Sequence, residues 1–138
     1  MNVKEVYEFM IKERLAVLST VTDSGQPQAA LMGMAVRPPL KIIFDTVKSS
    51  RKYPNLKKNP RVAWVVGCTT EVSVQYEGLA DELAGEELSK YEKIYFAAFP
   101  DGPVRKSWLG STYFVARPTW VRYCDYNPDS RRIEAQKF

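Results

Sequence analysis

The chain has 138 residues, 45% of them hydrophobic and 26% charged, with a formal net charge of +4. That length can bury a core without disulfides or metal and fits one domain over residues 1–138, and no apolar run reaches the roughly 18 residues of a membrane helix. Histidine is absent, which excludes Ser-His-Asp and Cys-His nucleophile systems, the H-E-x-x-H zinc site and an imidazole proton shuttle. Chemistry is left to carboxylates, Lys, Tyr, Cys or a bound cofactor. The amphipathic stretch Met1–Leu15 carries acidic residues, unlike a secretory signal or a transit peptide. Cys68 and Cys124 show no ligand spacing, so both are expected as reduced core thiols of a cytoplasmic protein. The modest positive excess suits an anionic ligand or, weakly, a nucleic acid.

In chain order, Asn2–Lys12 reads as a helix capped by Asn2, with Val3, Val6, Phe9 and Met10 on one face. Leu15–Val21 is β-branched and aliphatic, Thr22–Pro27 is dense in turn residues, and Gln28–Val36 continues extended, which predicts an antiparallel hairpin. Arg37-Pro38-Pro39 breaks the strand and Leu40–Asp45 resumes it. The stretch Lys41–Pro60 then runs from the apolar Ile42-Ile43-Phe44 into Asp45-Thr46, Ser49-Ser50-Arg51-Lys52 and Lys57-Lys58-Asn59-Pro60. Pro54 fits only the first turn of a helix, so the helix is expected near Tyr53, leaving Ser49–Lys52 as a loop with free backbone N–H groups. Hydroxyls, an Arg fork and a Lys point charge together are what a phosphate monoester requires. Taken alone, the stretch also reads as a solvated basic turn.

Arg61–Gly67 is nearly continuous apolar, as in a buried strand. Val72–Ala80 alternates, with Val72, Val74 and Tyr76 on one face and Ser73, Gln75 and Glu77 on the other. Glu82–Phe96 is expected as an amphipathic surface helix and Phe99–Pro103 as a loop. Tyr113–Ala116 and Thr119–Asp125 are expected as a last strand interrupted at Pro118, followed by a polar tail, Asn127–Phe138, that frays or reaches a second subunit. Roughly six strands with a few inserted helices predict a mainly β protein, a closed or partly closed antiparallel barrel.

On these residues the chain resembles the pyridoxamine 5′-phosphate oxidase-like, FMN-binding split barrels. The Gly25-Gln26-Pro27 turn, Phe44-Asp45-Thr46, Ser50-Arg51-Lys52, Asn55-Leu56, Asn59-Pro60-Arg61-Val62 and Val74-x-x-x-Gly78-x-Ala80 occur in the family order over about Leu15–Asp125. The specific part is Thr-x-x-x-Ser-Arg-Lys joined to Asn-Pro-Arg-Val. The resemblance implies a six-stranded antiparallel split barrel, FMN as cofactor, and homodimers with flavin sites at the subunit interface. It further implies Arg51 and Lys52 as phosphate cations, Thr46 and Ser50 as hydroxyl donors, and Asp45 at the same strand end. The strand with Ala30, Leu31, Met32 and Gly33 would offer backbone groups to the isoalloxazine, and Ser73 and Gln75 would face the shared cleft.

The chain also departs from the oxidase proper. Ala30 and Ala35 stand where that enzyme has Arg and Lys, its Arg-x-His is impossible without histidine, and Arg122-Tyr123-Cys124 replaces Glu-Phe-Trp. The resemblance therefore implies a retained phosphate loop and a lost pyridoxamine phosphate site. A flavin-dependent oxidoreductase of unassigned substrate is the leading reading, with no residue standing out as catalytic; Tyr76, Tyr123 and Cys124 read first as core residues. A barrel that holds flavin, deazaflavin F420 or haem without turnover is the second. A basic barrel binding single-stranded nucleic acid through Lys48, Arg51, Lys52, Lys57, Lys58 and Arg61 is the third, and neither nucleic acid nor membrane is the expected partner.

Overall fold

The computed structural model describes residues Met1–Phe138. Helix α1 (Val3–Lys12) starts where Asn2 Oδ1 accepts hydrogen bonds from the Lys4 and Glu5 N–H groups, satisfying donors that have no partner inside the helix. Its inner face buries Val6 and Met10. Strands β1 (Leu15–Val21) and β2 (Pro27–Gly33) form the expected hairpin, in register from Leu15↔Gly33 to Val21↔Pro27. Gly25 supplies the left-handed turn residue at φ 85°.

The second strand does not run on to Val36 as its apolar pattern suggests. Met34 leaves the hairpin, donating its N–H to the Arg14 carbonyl, and β3 (Ala35–Arg37) turns away to pair with β4 (Lys41–Val47). Helix α2 (Lys52–Lys58) follows, then β5 (Arg61–Val66), β6 (Val72–Glu82), α3 (Gly85–Ala98), α4 (Gly102–Lys106), β7 (Ser111–Asp125) and β8 (Arg132–Lys137). All strand pairs are antiparallel, in the order β2-β1-β5-β6-β7-β4-β3, with β8 added on β7. Because β2 and β3 are joined through Met34 alone, the two ends of the sheet curl toward each other. The result is a mainly β half-barrel with few helices.

Eight strands are present rather than six. The break at Met34 makes two strands of one. The tail neither frays nor leaves the chain: β8 pairs with β7 from Trp120↔Lys137 to Asp125↔Arg132. Pro118 does not interrupt β7 either. The register shifts between Glu77 and Gly78 opposite it, a bulge that accommodates a residue without an N–H. Glycine is required there, since a Cβ at Gly78 would lie 2.4 Å from the Arg117 carbonyl oxygen.

The inner face of the sheet carries the main core, in which Phe44 stacks on Phe114 at 5.4 Å and meets Trp64 edge-on at 5.2 Å. Tyr76 belongs to this core, its hydroxyl donating to the Ala116 carbonyl at 2.9 Å. On the other side of β4 and β7, Tyr91, Tyr95 and Phe99 of the α3 segment pack on Ile43, Tyr113 and Val115 as a second core. Cys124 is a buried thiol as expected, but Cys68 is exposed in the turn before β6. No helix is long and apolar enough to cross a membrane.

Candidate cofactor site

The phosphate-like stretch folds as one turn between β4 and α2. The Ser50 N–H donates to the Val47 carbonyl at 2.9 Å, so that donor is engaged, and the helix begins at Lys52, one residue before the expected Tyr53. Thr46 Oγ1 and Ser50 Oγ share a hydrogen bond of 2.9 Å, which brings the two hydroxyls to one point. Helix α2 is fixed beneath this turn from three sides. Leu56 enters the core. Asn55 Nδ2 donates to Thr20 Oγ1 at 3.1 Å and Gln28 Oε1 at 2.9 Å, tying the helix to β1 and β2. Glu82 accepts from Tyr53, Lys57 and Thr112, tying it to β6 and β7.

The cations divide by their partners. Lys57 pairs with Glu82 and Lys58 with Asp23, whereas Arg51 and Lys52 have no carboxylate within ion-pair distance. Partial burial and the neighbouring Arg51 charge hold the Lys52 ammonium below the ordinary lysine range. Two adjacent cations, one of them desolvated, favour an anion between them. They also stand where the molecule has space. A cavity of about 70 Å³ is lined by Leu18, Thr20, Gln28, Ala29, Ala30, Arg51 and Lys52. Lys52 also lines a pocket of about 230 Å³, together with Asp45, Thr46, Val47, Ser50, Arg105, Trp108 and Ser111.

Most of the sequence-predicted residues converge on these two spaces. Ala30, Arg51 and Lys52 line the smaller one; Asp45, Thr46, Ser50 and Lys52 line the larger. Three residues of β2 do not. Leu31 points to the outer face and is 64% exposed, Met32 is in the core, and Gly33 lies under Phe99. Strand alternation makes this unavoidable for side chains. Backbone groups are different, because β2 is the sheet edge, and every second residue there directs its N–H and C=O away from β1. Ser73 and Gln75 lie on β6, three strands from β2 in the sheet order, about 14 Å at the usual strand spacing. They line neither space. A further cleft of about 490 Å³ lies on β1, β5 and β6 between Ser19, Pro27, Arg61, Glu77, Leu79 and Thr119.

Sequence reasoning missed Thr20, Gln28, Arg105, Trp108 and Ser111. Asn55 gave a signal for the first two, as a buried amide needs partners. Arg105 lies on α4, within a stretch whose Pro and Gly read as loop, and only the tertiary fold carries it to β4. There Tyr95 OH donates to Asp45 Oδ1 at 2.7 Å, Arg105 Nη2 donates to Tyr95 OH at 3.2 Å, and Arg105 Nε is 3.9 Å from Asp45 Oδ2. Burial, then the bond to Asp45, drives the Tyr95 phenol far above its ordinary value. Burial and the Asp45 and Glu92 charges push Tyr113 up to about 12. Both phenols are therefore neutral at physiological pH. The site offers cations, hydroxyls and backbone groups, which bind and orient.

A family profile described as pyridoxamine 5′-phosphate oxidase matches residues 3–125. The chain belongs to the pyridoxamine 5′-phosphate oxidase-like family. Comparison with curated proteins gives no match. Among solved structures, a haem binding protein from Mycobacterium smegmatis superposes with a TM-score of 0.83 at 17% identity, covering 99% of this chain. General Stress Protein 26 from Bacillus anthracis superposes at 0.74 with 22% identity and full coverage of both chains. The protein Atu2129 from Agrobacterium tumefaciens gives 0.79 at 17% identity over 93% of this chain. This chain spans 58% of the length of the Mycobacterium and Agrobacterium proteins. At these identities the likeness is one of fold, and what this member of the oxidase-like family holds has to be read from its own residues.

Proposed function

We propose that the protein is an FMN-binding flavoprotein, an oxidoreductase whose phosphate grip is Arg51, Lys52, Thr46 and Ser50. One observation carries the reading: Arg51 and the partly buried Lys52 have no carboxylate partner and line a cavity against Gln28, Ala29 and Ala30 of β2, and Lys52 also lines the pocket that holds Thr46 and Ser50. Arg51 would take phosphate oxygens with its fork and Lys52 as a point charge, with the Thr46 and Ser50 hydroxyls donating beside them. The unpaired backbone groups of β2 between Gln28 and Met32 would orient the ring's polar edge. Bound FMN would supply the redox chemistry, and the chain would supply position and electrostatics. Ser73 and Gln75 lie three strands from β2 and line neither space, so a part for them in the cleft would come from a homodimer joined over the outer face of β1, β5 and β6.

Haem is the less favourable occupant. The side chains around the three spaces include no Tyr, Cys or Met, and the chain has no histidine, so no axial ligand lines them. The nucleic-acid reading loses Lys57 and Lys58, which are engaged by Glu82 and Asp23.

The test is titration of the purified protein with FMN, followed by absorption. Wild-type protein takes up FMN, and Arg51→Ala with Lys52→Ala weakens binding at least a hundredfold, since each charge-assisted contact contributes about 1.5–3 kcal/mol. A folded double variant with wild-type FMN affinity removes the grip from these residues, and a Soret band in place of flavin uptake replaces flavin by haem.

A further inference from the structure

The cleft of about 490 Å³ on β1, β5 and β6 is the largest of the three spaces, and none of Thr46, Ser50, Arg51 and Lys52 lines it. Its size falls within the roughly 300–1,000 Å³ of small-molecule sites. Val62 and Trp64 of β5 enter the main core, so strand alternation turns Arg61 and Ala63 to the opposite face, over which the cleft lies.

The concavity goes with the bulge in β6. The register shift between Glu77 and Gly78 bends the strand and increases its twist, and both residues line the cleft beside the small Ser19 and Ala63. Thr119 Oγ1 donates to the Glu77 carbonyl at 3.2 Å, which braces the bulge from β7. The Arg61 N–H donates to Asn59 Oδ1 at 3.1 Å, which fixes the start of β5.

Two opposite charges stand on this cleft. Glu77 lies opposite Ala63 and Arg61 opposite Leu79, which makes Arg61 and Glu77 diagonal neighbours, about 7–8 Å apart on an ordinary ladder. Both side chains are long enough to close that gap, yet neither enters an ion pair. The walls around them are apolar at Val21, Pro27 and Leu79. A guanidinium fork matches a carboxylate, and a carboxylate accepts from an ammonium. Arg61 alone would select an anion and Glu77 alone a cation; together on one cleft they select a molecule that carries both charges.

We propose that this cleft binds a small zwitterion with an apolar body, of the amino-acid class, with its carboxylate on Arg61, its ammonium on Glu77 and its body against Val21, Pro27 and Leu79. The site goes beyond the flavin reading and uses none of the grip residues, so it stands or falls independently of flavin uptake. Thr20 lines both this cleft and the cavity beside Lys52, which makes the two spaces neighbours.

The experiment is calorimetric titration of the full chain with L-phenylalanine, and with phenethylamine and 3-phenylpropionate, which keep the ring and lack one charge each, in wild type, Arg61→Ala and Glu77→Gln. Both residues are exposed and their side chains have no partner, so these substitutions leave the fold intact. Phenylalanine is expected to bind at least about tenfold tighter than either analogue. Arg61→Ala is expected to weaken phenylalanine and phenylpropionate about tenfold and to leave phenethylamine unchanged; Glu77→Gln is expected to weaken phenylalanine and phenethylamine and to spare phenylpropionate. Phenylalanine bound no more tightly than its analogues, or not bound at all, overturns the proposal, as does equal weakening of all three ligands by either variant. Sedimentation of the same variants adds one outcome: a dimer that dissociates while ligand affinities stay unchanged gives Arg61 and Glu77 to a subunit contact and overturns the site.

Discussion

The two buried phenols beside Asp45 look alike in sequence and differ in partners. Tyr95 OH donates to the Asp45 carboxylate and accepts from Arg105, whereas Tyr113 OH is buried with no hydrogen-bond partner. A hydrogen bond to a charged group contributes about 1.5–3 kcal/mol, while removing a buried polar atom that lacks a partner is nearly neutral or stabilising. Tyr95→Phe is therefore expected to lower stability by about 1.5–3 kcal/mol and Tyr113→Phe to leave it unchanged or slightly raised. Urea denaturation with unchanged slopes measures both. Equal losses in the two variants would show that ring packing, rather than the Asp45 network, fixes the α3 segment to β4. Neither role could be read from the sequence. The helical spacing of Tyr91 and Tyr95 shows that they share a face, but Asp45 is 50 residues from Tyr95 and only the packing of α3 on β4 and β7 brings them together.

At the scale of elements, Glu82 joins three of them. It ends β6, accepts from Tyr53 and Lys57 of α2 and accepts from Thr112 of β7 at 2.6 Å. Burial alone would raise its pKa, but the hydrogen bonds from Thr112, Lys57 and Tyr53 outweigh it and hold the carboxyl below its ordinary 4.5. A depressed carboxyl stabilises the fold fully above the unfolded value and loses that contribution as pH falls through the lower folded value. Glu82→Gln is thus expected to cost about 1–2 kcal/mol at neutral pH, with the gap to wild type closing only below pH 4.5. Denaturant midpoints from pH 7 to pH 3 test this, and a gap independent of pH would assign the cost to packing. Elements with a clear period were readable beforehand: β1 runs from Leu15 to Val21 as its aliphatic run suggests. The β2–β3 break was not, since Met34 is as apolar as its neighbours and leaves the hairpin for Arg14. Strand β8 was hidden for the opposite reason. Arg132–Lys137 offers only Ile133 and Ala135 as apolar residues, and its stability comes from the ladder with β7 rather than from a buried face.

At the scale of the molecule, the sheet is covered unequally. Over β4 and β7 the second core closes the outer face, while over β1, β2, β5 and β6 nothing does. There Val65 pairs with Val17 and Gln75, and Val17 pairs with Leu31, so one row crosses four strands. Leu15, Leu31 and Val65 on this face are 52%, 64% and 45% exposed. Contiguous apolar side chains of this size are characteristic of an interface, and full burial of each would contribute at most about 1.5–3 kcal/mol. With Ser73 and Gln75 on the same face, a twofold partner would complete the flavin cleft as well as cover the patch. Sedimentation equilibrium is expected to give twice the chain mass of 15.8 kDa. Val65→Asp places a charge that water solvates in the free chain and that a partner would bury, so it is expected to leave circular dichroism unchanged and yield monomers. A cleft shared in this way would make the same variant bind flavin more weakly, although Val65 lines neither space beside Lys52. A Val65→Asp protein that stays dimeric would move the interface elsewhere. A monomer with undiminished flavin affinity would show that Arg51, Lys52 and the β2 edge complete the site within one chain.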